Sequence, residues 1–404
     1  MTEKSIKQFN FSEDSVTHRD IYDRLTNKKI LATTALYGPW TPDGKFDWLS
    51  YENLVREVMQ SGSVPATNVD TTWAIYNDGE LTKQMIWRTA EIANENEQYI
   101  EKNRPLIVAG LNTNSLDISY NEISNEIEKQ VIKINAGLKE RNFSRIRYMI
   151  VPDKRIYNAP AQTKINVYKE IGKVIAEYTD FGFVFFELDI GIPGFGSNFS
   201  ANEIAEILFQ TPQIQEYKSA IISKKLEKNY PYDFRADLTR IKIVEDVAPN
   251  RVQFSTGNDW FVFLARLGKN IKNYGYLLGA SQISPKLFQQ WREGVEHNKP
   301  EALAIEQDLQ AAAKDFWTPG NVGIYRHYVG IFLAMTGLIS HPLPHPLCEE
   351  RYHVKAADYF IPLKHAIRLG LVEKNDISSL VMNFIPGYAD CTVSEIQEKV
   401  EFLN

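Results

Sequence analysis

Within QIQEYKSAIIS (residues 213–223), Lys218 stands at the end of a short strand-like run in which Ile214, Glu216 and Lys218 alternate onto one face. On an open surface such a lysine is a solvated charge. Inside an enclosure the same amine loses hydration, its charged form is disfavoured, and the freed lone pair can attack a carbonyl carbon. The run alone allows both, and also a core lysine paired with a carboxylate. Chemically capable side chains recur at the ends of comparable runs: Thr71 and Thr72, Asn112 and Asn114, Tyr157, Glu187 and Asp189, Asn258 and Asp259, Ser281 and Gln282. One amine amid hydroxyls, amides and carboxylates suits carbonyl chemistry with acid–base help. Other chemistries lack their residues. There is no nucleophilic-serine elbow, P-loop or paired-cysteine motif. His341 and His345 in HPLPHPL are four apart, but the intervening prolines oppose the helix that would aim both at a metal. Neither a metal nor a cofactor is expected.

For these residues to meet, the chain must bring many run ends to one place. From residue 30 onward, short apolar runs alternate with segments of helical periodicity. ILATTALY is followed by Trp48, Tyr51, Leu54, Val55, Val58 and Met59 spaced three and four apart, with Gly62 as a stop. The unit recurs at VPATNVD, RPLIVAG, RIRYMIVP, FGFVFFELD, QIQEYK, RVQFSTG and YGYLLGAS, giving eight strand–helix units. Eight is the number that closes a (β/α)8 barrel, in which the strand C-termini form the functional face. An open doubly wound sheet would share the alternation, but no G-x-G-x-x-G follows the first strand. The expected class is therefore α/β, a TIM barrel over residues 30–298, with an N-terminal extension (1–29) and a C-terminal helical region (299–404). Helical segments there are expected at Ala302 to Phe316, Ile324 to Leu338, Ala356 to Leu371 and Val393 to Phe402, the last with a capping-box signature at Thr392 and Glu395.

Composition agrees with an ordinary globular chain: 404 residues, 44% hydrophobic and 24% charged, enough for a large core. The net charge of −6 comes from interspersed signs, so no basic stripe invites nucleic acid. No run of about 18 apolar residues suggests a membrane span, and the polar first twenty residues lack a signal-peptide core. Two cysteines are consistent with a reducing cytoplasm, the expected location.

The ordered motifs resemble the dihydrodipicolinate synthase and N-acetylneuraminate lyase family of Schiff-base-forming barrels. ALYGPWTPDGKFDW is similar to that family's first strand and Thr-Pro turn, and NVDTTWAIYNDGELT to its Gly-Thr-Thr-Gly-Glu loop at Thr71 and Thr72. RPLIVAGLNTNS resembles the third strand, and IYNAPAQ the Tyr-Tyr-Asn-x-Pro-Ser-Gln segment at Tyr157, Asn158, Pro160 and Gln162. IQEYKSA resembles the segment bearing the Schiff-base lysine, and STGND the Ser-Gly-Asp-Asp loop. The resemblance implies that Lys218 condenses with a 2-oxo acid such as pyruvate, or a 2-oxo sugar acid, in an aldolase-type lyase. It implies that Thr71 and Thr72 hold the substrate carboxylate, that Tyr157 is a proton-relay tyrosine reaching across a dimer interface, and that the protein is a homodimer or homotetramer.

The pattern also breaks. Where the family has a tyrosine at the end of strand five, this chain reads VFFELDIGIPGFG, and superposition puts Glu187 there, as an acid–base group or as a charge partner of Lys218. Asp189 shares its strand face. The arginine that true dihydrodipicolinate synthases carry after the strand-five proline is missing from IPGFGSN, which speaks against that activity. Trp73 replaces the glycine after the paired threonines and would line or narrow the pocket. Asn258 and Ser281 complete the expected substrate contacts. Residues 219–250 are longer than the family's connection and would form a lid, an interface element or a solvated insertion. Two alternatives stand beside the lyase: a 2-oxo-3-deoxy sugar acid dehydratase, and a degenerate barrel that binds a ligand without catalysis.

Overall fold

The computed structural model describes residues 29–188, 199–221, 235–266, 273–316, 322–348 and 356–373. Parallel strands buried on both faces should read as near-continuous apolar runs, and the eight expected runs each become one. They are β1 (Ile30–Ala35), β2 (Val64–Thr67), β3 (Ile107–Leu111), β4 (Ile146–Ile150), β5 (Phe183–Leu188), β6 (Ile214–Ala220), β7 (Gln253–Thr256) and β8 (Tyr274–Leu278). They pair in parallel in chain order, and β8 returns to β1 with Ile30 opposite Tyr274, closing the barrel.

The helices between the strands are α1 (Trp48–Gln60), α2 (Gly79–Glu95), α3 (Ile123–Glu140), the single turn α4 (Lys154–Tyr157), α5 (Ala161–Ala176), α6 (Ala201–Gln210), α7 (Arg235–Val247) and α8 (Pro285–Glu296). Each lays an apolar stripe on the sheet. In α1 the buried residues are Ser50 and the periodic Tyr51, Leu54, Val55, Val58 and Met59, and the Asp47 side chain caps the Ser50 amide. The connection after β7 is instead a 3-10 segment, Asp259–Arg266.

Beyond residue 298 come α9 (Glu301–Phe316), α10 (Val322–Met335) and α11 (Ala356–Arg368). Phe316 of α9 and Tyr325, Tyr328, Val329 and Phe332 of α10 share one continuous core with Leu36, Tyr37 and Trp73 of the barrel. α10 therefore lies against the end where β1 and β2 emerge. Among the described residues no helix is long and apolar enough to cross a membrane. The N-terminal extension up to residue 28, the Val393–Phe402 helix and residues 222–234 of the long connection lie outside the described residues.

Strand pairing fixes which side chains face inward. Phe186 sits opposite Lys218 and Glu187 opposite Ser219 in the β5–β6 ladder. Because faces alternate, Phe186, Leu188, Lys218 and Ala220 line the barrel mouth, whereas Glu187, Tyr217 and Ser219 face the helices.

Candidate active site

Lys218 reaches into a cavity of about 50 Å³ at the strand C-termini, lined also by Asp70, Thr71, Phe186, Asn258, Asp259 and Tyr325. At roughly 10–15 Å³ per water-sized sphere this is room for a few waters, the scale of a small organic acid. The lysine is 7% exposed and its ammonium nitrogen lies 3.8 Å from the centre of the Phe186 ring. Burial dominates its titration and pushes the amine down to about 8, although Asp259, Asp70 and Glu216 pull the other way. Near neutrality a usable fraction is therefore the free, nucleophilic amine. Two features make this placement possible. Gly257, at the end of β7, has no side chain where a Cβ would meet Lys218 Cε at 2.5 Å and the Ala220 Cβ at 2.8 Å. Below the pocket, Glu216 accepts from Arg147 at 2.7 Å, so the carboxylate next in line on the same face has its own cation.

Asp259 is held at both oxygens. The Ala280 amide donates to Oδ1 at 2.9 Å and the Tyr325 hydroxyl to Oδ2 at 2.8 Å. Burial raises this carboxyl to about 6, against the opposing pull of those hydrogen bonds and of Lys218. It also raises the Tyr325 phenol well above its ordinary value, helped by the Asp259 charge. Behind the pocket, Asp237 of α7 accepts from Ser219 at 2.9 Å and bonds the Asn258 side chain, with burial lifting its carboxyl to about 7.

The residues expected from the sequence divide. Lys218, Thr71 and Asn258 line one cavity. Thr72 is buried beside it, but its hydroxyl accepts from the Val69 amide at 2.6 Å and donates to the Val69 carbonyl at 2.9 Å; that of Thr71 donates to the Leu36 carbonyl at 2.6 Å. Both hydroxyl protons are thus committed to the backbone that shapes the β2 loop. Trp73 does not line the pocket. It is fully buried in left-handed conformation (φ 61°), its indole N–H donates to the Gly38 carbonyl at 3.0 Å, and the Arg326 guanidinium of α10 stacks 4.5 Å above it. It is a mooring point for the C-terminal helices. Ser281 bonds the Leu278 carbonyl and the Thr34 hydroxyl, both at 2.9 Å, outside the cavity lining.

Glu187 is displaced from its expected position, and Tyr157 lies away from the Lys218 pocket of its own chain. Glu187 is buried on the outer face of β5, where Arg240 of α7 donates to both its oxygens at 3.1 and 3.2 Å and the Tyr217 hydroxyl donates at 2.5 Å. It faces neither the pocket nor Lys218, because strand alternation turns it outward and brings Phe186 inward. Tyr157 is 40% exposed on α4, within 6.0 Å of the Lys164 ammonium, and is not part of the lining. Asp189 lies outside the described residues. His345 packs edge-on to Trp40 and stacks on Tyr76, and no group of three or more metal-ligating side chains gathers among the described residues. His327, buried on α10, is held down to about 4 by burial and Arg326.

Tyr325 is the pocket residue that sequence reasoning misses. It sits in GIYRHYVG, in a helix that is apolar nearly all round and carries no periodic or motif signal linking it to the barrel mouth. Asp70 and Phe186 are sequence neighbours of Thr71 and Glu187, and only strand parity distinguishes Phe186 from Glu187 as the inward residue.

No family model and no curated protein sequence matches this chain. Solved structures do. A dihydrodipicolinate synthase from Aquifex aeolicus superposes with a TM-score of 0.60 at 15% identity, spanning 86% of this chain and all of that one. One from Thermotoga maritima gives 0.60 at 17%, spanning 85% and 100%. The chloride-inhibited enzyme from Acinetobacter baumannii, solved with pyruvate, gives 0.59 at 17%, spanning 85% and 100%. With eight parallel strands closed in chain order and a lysine at the mouth of β6, the fold of this chain is that of the dihydrodipicolinate synthases.

Proposed function

We propose that the protein is a divergent member of the dihydrodipicolinate synthase and N-acetylneuraminate lyase family, and a lyase that works through an imine between Lys218 and a 2-oxo acid. One observation carries the reading: the only titratable side chain reaching the pocket from β6 is a buried amine whose proton is held down to about 8. The amine nitrogen bonds to C2 of the oxo acid, water leaves, and the protonated imine withdraws electrons from the neighbouring carbon. That stabilises the enamine through which a carbon–carbon bond breaks or forms. Pyruvate, present in the Acinetobacter baumannii structure, is the simplest such acid. The Glu187–Arg240 pair supports catalysis over a merely ligand-binding barrel, because Glu187 is engaged by Arg240 and does not hold the Lys218 amine in its charged, unreactive form.

Homo-oligomeric assembly belongs to the same reading. The exposure of Tyr157 suits a residue that serves a neighbouring subunit, and light scattering on the purified chain tests the assembly. The chemistry is tested by incubating the protein with pyruvate and other 2-oxo acids, reducing with borohydride and locating the added mass by peptide mass spectrometry. The expected adduct is on Lys218 and is lost in Lys218→Ala. An adduct on another lysine, or none with any acid, refutes the assignment.

A further inference from the structure

We propose that Tyr325, brought by α10 from beyond the barrel, is the proton relay of the imine-forming step, with Asp259 as the group that orients and recharges it. The inference rests on Lys218 as the imine-forming residue. Tyr325 is 2% exposed and lines the Lys218 cavity, so its phenol shares that space with whatever condenses there. Its hydroxyl donates to Asp259 Oδ2 at 2.8 Å, while the Ala280 amide fixes the other oxygen at 2.9 Å. The β8 end is bare where the phenol enters: a Cβ on Gly279 would collide with the Tyr325 hydroxyl and lie 2.9 Å from Thr71 Cγ2. The neighbouring Arg326 anchors the helix through its stack on Trp73 and a 3.6 Å ion pair with Asp70. Within the same chain neither Glu187 nor Tyr157 offers a competing group, since the first faces α7 and the second sits on an exposed turn outside the pocket lining.

The proton sequence balances. Asp259 takes a proton from the Lys218 ammonium, leaving a neutral amine and a neutral carboxyl. The amine nitrogen bonds to C2 of the 2-oxo acid, the carbonyl π pair moves to oxygen, and that oxygen picks up the proton the nitrogen sheds. In the resulting carbinolamine the C2–O bond breaks as the nitrogen lone pair forms C=N. Tyr325 gives its proton to the departing hydroxyl, making water, and the Asp259 carboxyl returns a proton to the phenolate. One positive charge enters on the ammonium and one leaves on the iminium, with Asp259 again a carboxylate.

The test is the rate at which the Lys218 imine forms, read by rapid mixing with pyruvate and 2-oxobutanoate, borohydride quench and mass spectrometry. Tyr325→Phe keeps the ring and removes only the hydroxyl. It is expected to slow formation by about 100-fold or more while reaching the same final occupancy, since a relay changes rate and not equilibrium. A rate within about twofold of the unmodified protein overturns the relay, and a wild-type protein with no Lys218 adduct overturns the imine reading with it. Asp259→Asn gives a second readout. The groups facing Asp259 are Lys218, Asp70 and Tyr325, and Glu216 lies deeper on the same face as Lys218. The wild-type rate should depend on a carboxylate titrating near pH 6 as well as on the Lys218 amine, and the variant should retain only the second dependence. An unchanged pH profile in Asp259→Asn refutes the role of the pair.

Discussion

A buried amine is an expense of the folded state, and Lys218 shows where it falls. Its amine titrates at about 8 in the fold against an ordinary 10.5. At about 1.4 kcal/mol per pH unit, the difference of 10.5 less about 8 corresponds to roughly 3 kcal/mol against folding. Below pH 8 both folded and unfolded chains carry the proton, and the fold bears the whole cost. Between pH 8 and 10.5 the unfolded chain binds more protons, so stability rises with pH and the cost disappears. Methionine fills similar space without a charge. Lys218→Met is therefore expected to be more stable than wild type at pH 7, by about 2 kcal/mol once Asp259 has lost its favourable neighbour, with the gap closing towards pH 10. Urea unfolding at the two pH values measures it. A variant that is less stable than wild type at pH 7 would mean that the amine is a structural partner and not a held nucleophile.

At the level of the element, the decisive quantity is strand parity. A one-residue change of register exchanges every inward side chain for an outward one, and FVFFEL offers apolar residues on both faces. Nothing in that segment says whether Phe186 or Glu187 looks into the barrel; the answer comes from the ladder with β6 and from an arginine 53 residues further along the chain. Glu187 thus ties β5 to α7. Glu187→Gln should leave Arg240 buried without its counter-charge and cost roughly 3 kcal/mol, the low end for breaking a buried pair because the amide keeps one acceptor. The rate of imine formation at Lys218 should be unchanged per folded molecule. Thermal denaturation combined with borohydride trapping checks both, and a large fall in rate at full folding would return Glu187 to the chemistry. By contrast, the strands themselves and the place of Lys218 were legible, because buried parallel strands announce themselves as apolar runs and Lys218 ends one whose inward set is Ile214, Glu216 and Lys218. Trp73 was legible as a bulky aromatic in place of a loop glycine, but the pocket wall it suggested was wrong: it seats Arg326, a partner that arrives from a helix about 250 residues away.

On the scale of the molecule, the barrel mouth is incomplete without the chain that follows it. α10 supplies Tyr325 to the pocket, stacks Arg326 on Trp73, and packs Gly330 so closely on Tyr37 that a Cβ there would lie 2.6 Å from the phenolic oxygen. Tyr37 in turn donates to the Leu343 carbonyl at 3.2 Å, and Trp40 forms a bridge with Leu343, so the segment after α10 is sewn to the loop after β1. Helices that share one apolar core with a barrel, and whose polar ends close its functional face, should open with it and not before it. Hydrogen exchange of the intact protein measures this segment by segment. Amides of α10 are expected to show protection comparable to those of β1 and β8 and to lose it in the same denaturant range. Gly330→Ala, by forcing α10 away from Tyr37, should lower α10 protection first and slow imine formation with it, although Gly330 does not line the Lys218 cavity. If α10 instead exchanges orders of magnitude faster than the strands in the unmodified protein, the helix is a loosely docked cover, and a fixed Tyr325–Asp259 bond at the site is ruled out.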